Sequence, residues 1–459
     1  MEAYVKISIL ILIYVILLLF CRLFSKRMII TPEFVFIACF IPQMVFAMEY
    51  VKKWDLNLSI DTFLVYTFGG VNFVFFSIFF RYILRKYNYG QQCWGENTAF
   101  LKEKHVILNK KKLMIIMVIQ MFSIVLMSRT LLQITKAQNL PSAISSYTML
   151  SKGTGLKLPN LAGKLNLFSY ISGYVWAYYI VYGVVNKRKE PYFLLGINFA
   201  LSVVSNLLTG SRGGVIQNVL FLLFLYYILD GEKKKWKNVV SPKILMMALF
   251  FTMAGLFGFQ KSLDLIGRAT STKDSGDYIA LYLSAEMKNM DIMIRSGEMQ
   301  IRDILEWGTL NSGLSGFLKL LGISLPRNVA DASTYITYHG INLGNVYTIY
   351  YSFVHDLSYL GLIFFEMLMA LISQISLASM MRSRMSYFVL DFSKLIYGYI
   401  LVKISFSFFS NWFFDNILST GFIWCLIFWF ILRAFMEYDV QRKEGRVRIK
   451  ITNNISIKI

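Results

Sequence analysis

The sequence predicts an all-α polytopic membrane protein, and three observations carry that prediction. Of its 459 residues, 56% are hydrophobic and only 16% are charged. A soluble domain carries nearer a quarter charged residues. The apolar residues also fall in repeated runs of ~17–25, the length a helix needs to cross the hydrocarbon core. Those runs are continuous rather than alternating, so helices and not the strands of a closed barrel satisfy the backbone inside the bilayer.

Along the chain, about eleven spans are predicted on this basis. They fall near 7–24, 33–48, 61–83, 112–128, 161–185, 191–208, 213–230, 242–260, 357–380, 392–412 and 417–435. The first run, Ile7 to Phe20, has no basic segment ahead of it and no small-residue cleavage site. It is therefore expected to be a transmembrane helix rather than a leader. With no repeat, Pro-rich linker or low-complexity segment, the chain reads as one polytopic domain, 1–459.

Charge sets the expected topology. The formal net charge is +21. The loops 22–33, 81–113, 187–189, 231–243 and 381–394, with the tail from 433, hold 29 of the 47 lysines and arginines. The positive-inside rule makes that set cytoplasmic, which puts the N-terminus outside and the C-terminus inside. The basic excess then faces the anionic inner leaflet.

The opposite face carries one long polar excursion, 261–345, with eight Lys/Arg against nine Asp/Glu. A nearly neutral segment is no nucleic-acid funnel, which needs a basic face. Within it, Asp277 to Ser296 is predicted helical, Gly297 interrupts, and Glu298 to Trp307 is predicted to continue the helix. The apolar, Gly-spaced stretch Ser312–Leu321 is too short to span, so it predicts a re-entrant or surface-lying helix.

The four cysteines, Cys21, Cys39, Cys93 and Cys425, form no CxxC pair, so no metal site and no disulfide framework are expected. Four constellations remain as candidates for chemistry. The turn Thr209-Gly210-Ser211-Arg212-Gly213-Gly214 offers backbone N–H groups and a guanidinium suited to phosphate oxygens. It lacks the GK[ST] of a nucleotide P-loop. It reads equally as a small-residue hairpin with a snorkelling arginine. In the excursion, Arg295 and Arg302 are seven apart and share a face if the helix is continuous. Asp291 and Glu298 lie four residues before each, so solvated ion pairs are the plainer reading. Arg268 and Arg327 have fewer acidic sequence neighbours. His339 and the pair His355-Asp356 supply imidazoles that can accept a hydroxyl proton near neutral pH; they can also simply face water. Finally, Glu366 and Lys403 are expected at similar depth in adjacent spans. Intramembrane charges call for pairing or a polar cleft.

Three of these features together resemble the Wzy-type polymerases of O-antigen and capsule repeat units. They are the Thr-Gly-Ser-Arg-Gly turn, the single large external loop late in the chain, and Asn345-Val346-Tyr347-Thr348 leading to Asp356 and Gly361. Asn345, Tyr347, Thr348, Asp356 and Gly361 match the family pattern. Leu357 and Ser358 replace its Phe and first Gly. The resemblance implies a GT-C-like fold. It also implies transfer of a growing glycan from undecaprenyl pyrophosphate to a lipid-linked repeat unit, outside a bacterial cytoplasmic membrane. In that reading Arg212, Arg268 and Arg295 bind the pyrophosphate, His339 is the base, and Asp356 orients it or acts as an alternative base. No cofactor or metal is needed in that reading; from their matching depth, apart from the resemblance, Glu366 and Lys403 are expected to pair or to line one polar cleft. The implied partners are undecaprenyl-pyrophosphate-linked oligosaccharides and membrane lipids, with a chain-length regulator and a flippase as candidate companions. An O-antigen-ligase-like transferase and a lipid-linked oligosaccharide flippase are the alternatives.

Overall fold

The computed structural model describes residues 2–25, 28–86, 108–153, 158–210, 213–234, 236, 275–323, 336–338, 340–382, 388–443, 446–452 and 455–458. In chain order the helices begin with α1 (Glu2–Phe24), α2 (Pro32–Glu49), α3 (Ile60–Lys86), α4 (Lys110–Thr135) and α5 (Leu140–Gly153). They continue with α6 (Asn160–Val185), α7 (Tyr192–Leu207), α8 (Gly213–Lys233), α9 (Ser275–Arg295) and α10 (Gly308–Leu320). The last are α11 (Ile349–Arg382), α12 (Phe392–Ser405), α13 (Trp412–Ile417) and α14 (Thr420–Glu437). A small antiparallel pair, β1 (Ile336–Tyr338) and β2 (Ile341–Gly344), precedes α11. The chain closes with an antiparallel sheet of β3 (Asp439–Lys443), β4 (Arg446–Thr452) and β5 (Ile455–Lys458) in that order.

Among the described residues, seven helices are long and apolar enough to cross a bilayer: α1, α2, α3, α4, α8, α11 and α14. The chain is thus a largely helical, multi-pass membrane protein. Of the other predicted spans, α6 forms with a polar face of buried serines, and α7 is shorter at 16 residues. The expected helix at 392–412 ends at Ser405, and 242–260 lies outside the described residues.

The chain divides into two compact units where the sequence reads as one. The first takes its residues from Met1–Asn97, Lys273–Arg382 and Tyr399–Ile423. Its centre is aromatic. The Tyr350 ring stacks on Phe40 at 4.9 Å, and its hydroxyl shares a 2.8 Å hydrogen bond with that of Tyr14. Gly69 of α3 leaves the space that ring fills. At one end Glu33 accepts hydrogen bonds from Arg81 and Gln374. At the other, Lys6 donates to the Leu58 carbonyl, and Tyr359 to Asp61.

Within this unit α11 is a helical hairpin rather than one rod. Leu357 (φ −139°, ψ 21°) and Ser358 (φ 53°, ψ −144°) break it. The short arm 349–356 folds back on the long arm 359–382, which brings the Phe353 and Phe365 rings to 5.3 Å. Gly361 is needed where the arms touch, because a Cβ there would overlap the Phe353 carbonyl oxygen. Ser358 occupies a backbone region that suits glycine. A non-glycine residue so placed carries strain on the order of 1–3 kcal/mol. Ser358→Gly is accordingly expected to raise stability by about 1 kcal/mol, after allowing for the freer unfolded chain. Thermal unfolding in detergent would measure the gain.

Helix α9 ends as the sequence suggests. Gly297 takes φ 83°, its N–H bonds Ile294 O, and the Glu298 N–H bonds Met293 O. That pair of bonds is a Schellman closure. The predicted helical continuation over 298–307 does not form. The chain is non-helical there apart from a 3-10 turn at Ile304–Glu306. Nor is α9 a solvated cap, since every residue from Ser284 to Asp291 is buried. Asn289 donates to the Leu343 and Val346 carbonyls, and Lys288 to the Asp55 carbonyl.

Glu286, fully buried in α9, has no hydrogen-bond partner for either carboxyl oxygen among the described residues. Burial pushes its pKa well above the usual carboxylate range. The folded chain therefore keeps a proton that the unfolded chain releases above about pH 4.3. Stability falls as pH rises from that value towards the raised folded pKa, because the native state binds the extra proton. Glu286→Gln removes this slope. Its thermal midpoint is expected to gain on the wild type as pH rises from about 6 to about 9.

The second unit takes its residues from Thr98–Thr272, Ser383–Gly398 and Trp424–Ile459. Gln120 of α4 is its polar hub. Its Nε2 lies 2.9 Å from Ser172 Oγ, 2.8 Å from Ser202 Oγ, and 3.3 and 3.2 Å from the Ser169 and Asn198 carbonyls. Interhelical hydrogen bonds and small residues of this kind hold helices together where no hydrophobic drive exists between them. At one end Glu437 accepts the Val389 and Leu390 N–H groups and the Tyr179 hydroxyl. Lys394 there pairs with Glu232.

Candidate functional site

Two helix ends meet at the turn of the α11 hairpin, and each is closed by the other's segment. The first N–H groups of a helix have no partner within it. At α10, Asp356 supplies one: its Oδ1 accepts the Gly308 N–H at 2.9 Å and its Oδ2 the Thr309 N–H at 2.7 Å. An anion is favoured at that positive end of the helix dipole. The short arm of α11 ends beside it with unpaired carbonyls. Arg302 answers these, its backbone N–H donating to Asp356 O at 2.9 Å and its Nε to His355 O at 3.1 Å. Trp307 Nε1 in turn donates to the Arg302 carbonyl at 3.0 Å.

This lock fixes His355. Its Nδ1 lies 3.1 Å from Asp356 Oδ1. That carboxylate already accepts two N–H groups and can only accept, so Nδ1 carries the proton. In the neutral ring Nε2 then presents a lone pair. It has no hydrogen-bond partner among the described residues and lies 3.9 Å from Glu298 Oε2. Glu298 is partly exposed and held by Arg302 at 2.8 Å. Tyr351 packs beside the imidazole at 5.5 Å and stacks on Tyr347 at 4.6 Å. The arrangement is an imidazole oriented by a buried carboxylate, with a second carboxylate and a guanidinium at its mouth. It can take a proton from a hydroxyl placed there.

Of the residues singled out in the sequence, Asp356 sits at this site, but as an orienter. It is fully buried, and both of its carboxylate oxygens are engaged. His339, Arg212 and Arg268 lie outside the described residues. Arg295 is engaged elsewhere. Its Nε donates to buried Asp291 at 2.8 Å and its Nη2 to the Asn57 carbonyl. Because α9 stops at Gly297, Arg295 and Arg302 do not share a helix face. Glu366 and Lys403 form no hydrogen-bonded pair. The Glu366 oxygens have no hydrogen-bond partner among the described residues, whereas Lys403 Nζ lies over the Tyr399 ring at 4.5 Å and the Trp412 ring at 5.5 Å. Matching depth put the two at one level but did not fix which way each side chain points.

Glu298 and Arg302 are the members that sequence reasoning set aside as a surface ion pair. Their pairing was visible in the spacing; their place beside His355 depends on the hairpin, which Ser358 hides. Among the described residues, no group of three or more potential metal ligands gathers. No family model matches the chain, and neither a curated protein nor a solved structure matches it.

Proposed function

We propose that the chain is a polymerase of lipid-linked oligosaccharide repeat units, working on the outer face of a bacterial cytoplasmic membrane. The observation that carries the proposal is the unpartnered Nε2 of His355, held by Asp356 on the hairpin that Tyr347 and Thr348 lead into and that carries the polymerase-like residues Asp356 and Gly361. In the reaction the acceptor hydroxyl of a fresh repeat unit attacks the anomeric carbon of the growing glycan. The new C–O bond forms, the bond from that carbon to the pyrophosphate oxygen breaks, and the electron pair leaves on the lipid pyrophosphate. The hydroxyl proton passes to His355 Nε2.

Asp356 supports this role by fixing the ring and stabilising the imidazolium. Glu298 accepts a hydrogen bond from a neighbouring hydroxyl of the same sugar and so orients the acceptor. The developing charge on the leaving group calls for cations. Arg212 and Arg268 remain the proposed pyrophosphate ligands on the strength of the sequence. Arg295, committed to Asp291, is left out of that set. A GT-C-like arrangement, an outside N-terminus and a cytoplasmic C-terminus belong to the same proposal.

The test is to incubate the purified protein, in liposomes, with a lipid-pyrophosphate-linked repeat unit. A ladder of lengthening products supports the polymerase. Transfer to a different acceptor, with no ladder, assigns the ligase-like activity instead. Movement of the intact lipid-linked unit without a new glycosidic bond assigns the flippase.

A further inference from the structure

The segment from Ile301 to Ile323 belongs by sequence to the external loop, yet it presents a row of bare apolar side chains. Ile301, Ile304, Leu305, Leu320 and Leu321 are 68, 65, 57, 80 and 73% exposed. An aqueous surface seldom gathers such a patch without a partner, and each such side chain withdrawn from water gains about 1.5–3 kcal/mol. Two further observations identify what covers it.

First, the segment runs down the long arm of α11. Ile301 bridges to Leu357 at the turn, and Trp307 packs on Phe364 and Phe365 at 6.1 and 5.6 Å. Seven to eight residues of helix separate those levels, a descent of about 10–12 Å. Second, the same arm exposes Leu360, Ile363, Phe364 and Met367. Their i, i+3, i+4, i+7 spacing is one helix face, on a helix long and apolar enough to cross the bilayer. Through Trp307, which packs on Phe364, the start of the segment adjoins that face. Helix α10 is held against the protein where Gly313 and Gly316 let it approach the Phe414 carbonyl and Thr420, and Leu320 and Leu321 at its end stay bare beyond that contact. At the 3-10 turn, the cap Asp303 and Glu306 share one side at i,i+3 spacing, while Ile304 and Leu305 stay bare. That is the pattern of a segment lying at the boundary between headgroups and chains.

We propose that Ile301–Ile323 is seated in the leaflet on the side where the α11 hairpin turns, with lipid acyl chains covering Ile301, Ile304, Leu305, Leu320 and Leu321. The proposal holds whatever reaction the site performs. Nitroxide labels at Ile304→Cys and Leu320→Cys, with Ser296→Cys as the aqueous control, test it in liposomes of the full chain with its native cysteines replaced by serine. The first two labels are expected to relax several-fold more with oxygen than with a water-soluble nickel complex, and the control to show the reverse. If removing the native cysteines prevents folding, Leu320→Trp in the native background serves instead, with brominated lipids expected to quench the added fluorescence. Aqueous accessibility equal to Ser296 at either label, or an unquenched added tryptophan, overturns the proposal.

Discussion

Replacing His355 by alanine is expected to cut glycan transfer by at least about 100-fold, the contribution a positioned general base makes. His355→Asn sharpens the test. Its side-chain nitrogen can occupy the place of Nδ1 and keep the hydrogen bond to Asp356, while nothing replaces Nε2. The asparagine variant is therefore expected to be as inactive as the alanine variant but closer to wild type in thermal midpoint. Rates on a lipid-linked repeat, measured beside unfolding in the same detergent, would separate the two effects. Activity in the asparagine variant within a few-fold of wild type would show that His355 only packs the hairpin.

Asp356→Ala is expected to have the largest effect on the fold. It removes two charge-assisted hydrogen bonds to the first N–H groups of α10 and leaves both donors buried. A lost cap of this kind costs about 1–2 kcal/mol, and hydrogen bonds to a charged group about 1.5–3 kcal/mol each. A loss of about 3 kcal/mol follows once the two overlap. The chain between Gly297 and Ile323 should then become the first site of proteolysis. Asp356→Asn keeps one acceptor oxygen and should fall between alanine and wild type in stability. Both variants should lose activity, because His355 loses the group that sets its tautomer. If α10 stays protected and the midpoint is unchanged in Asp356→Ala, the lock described above is not what holds it.

Much of this architecture was legible because hydrocarbon thickness imposes a simple rule on sequence. α1, α2, α3 and α4 stand close to their predicted limits, and Gly297 stops α9 as a left-handed glycine should. The failures have physical causes. Residues 298–307 carry helix-like charge spacing, but the Schellman closure ends the helix and Arg302 is drawn into backbone bonds with the hairpin. The buried face of α9 was hidden by its composition. Ser284, Glu286, Lys288, Asn289 and Asp291 are polar yet buried. Ser284 donates to the Ala280 carbonyl, and Lys288 and Asn289 donate to the Asp55, Leu343 and Val346 carbonyls. Asp291 accepts the Ser59 N–H and the Thr62 hydroxyl, and Glu286 has no hydrogen-bond partner among the described residues.

The site was half visible. Adjacency of His355 and Asp356 drew notice, but neighbours on a regular helix point apart. Here the His355 ring nonetheless lies 3.1 Å from the Asp356 carboxylate, and Glu298 comes to its other nitrogen from a segment distant in sequence. Glycine at 358 would have announced the hairpin turn; serine did not. For Glu366 and Lys403, rise per residue says nothing of which way a side chain points: the Glu366 oxygens have no hydrogen-bond partner among the described residues, and Lys403 lies over the Tyr399 and Trp412 rings.

The most direct test of the central claim is a one-bond reaction. Two lipid-pyrophosphate-linked repeat units would be mixed with folded wild-type protein or His355→Asn protein, and the first dimer of repeats followed with time. The account predicts a lipid-linked dimer and one released lipid pyrophosphate from the wild type, and almost none from the variant. Equal dimer formation by both proteins, or none by a wild type shown to be folded, would contradict it.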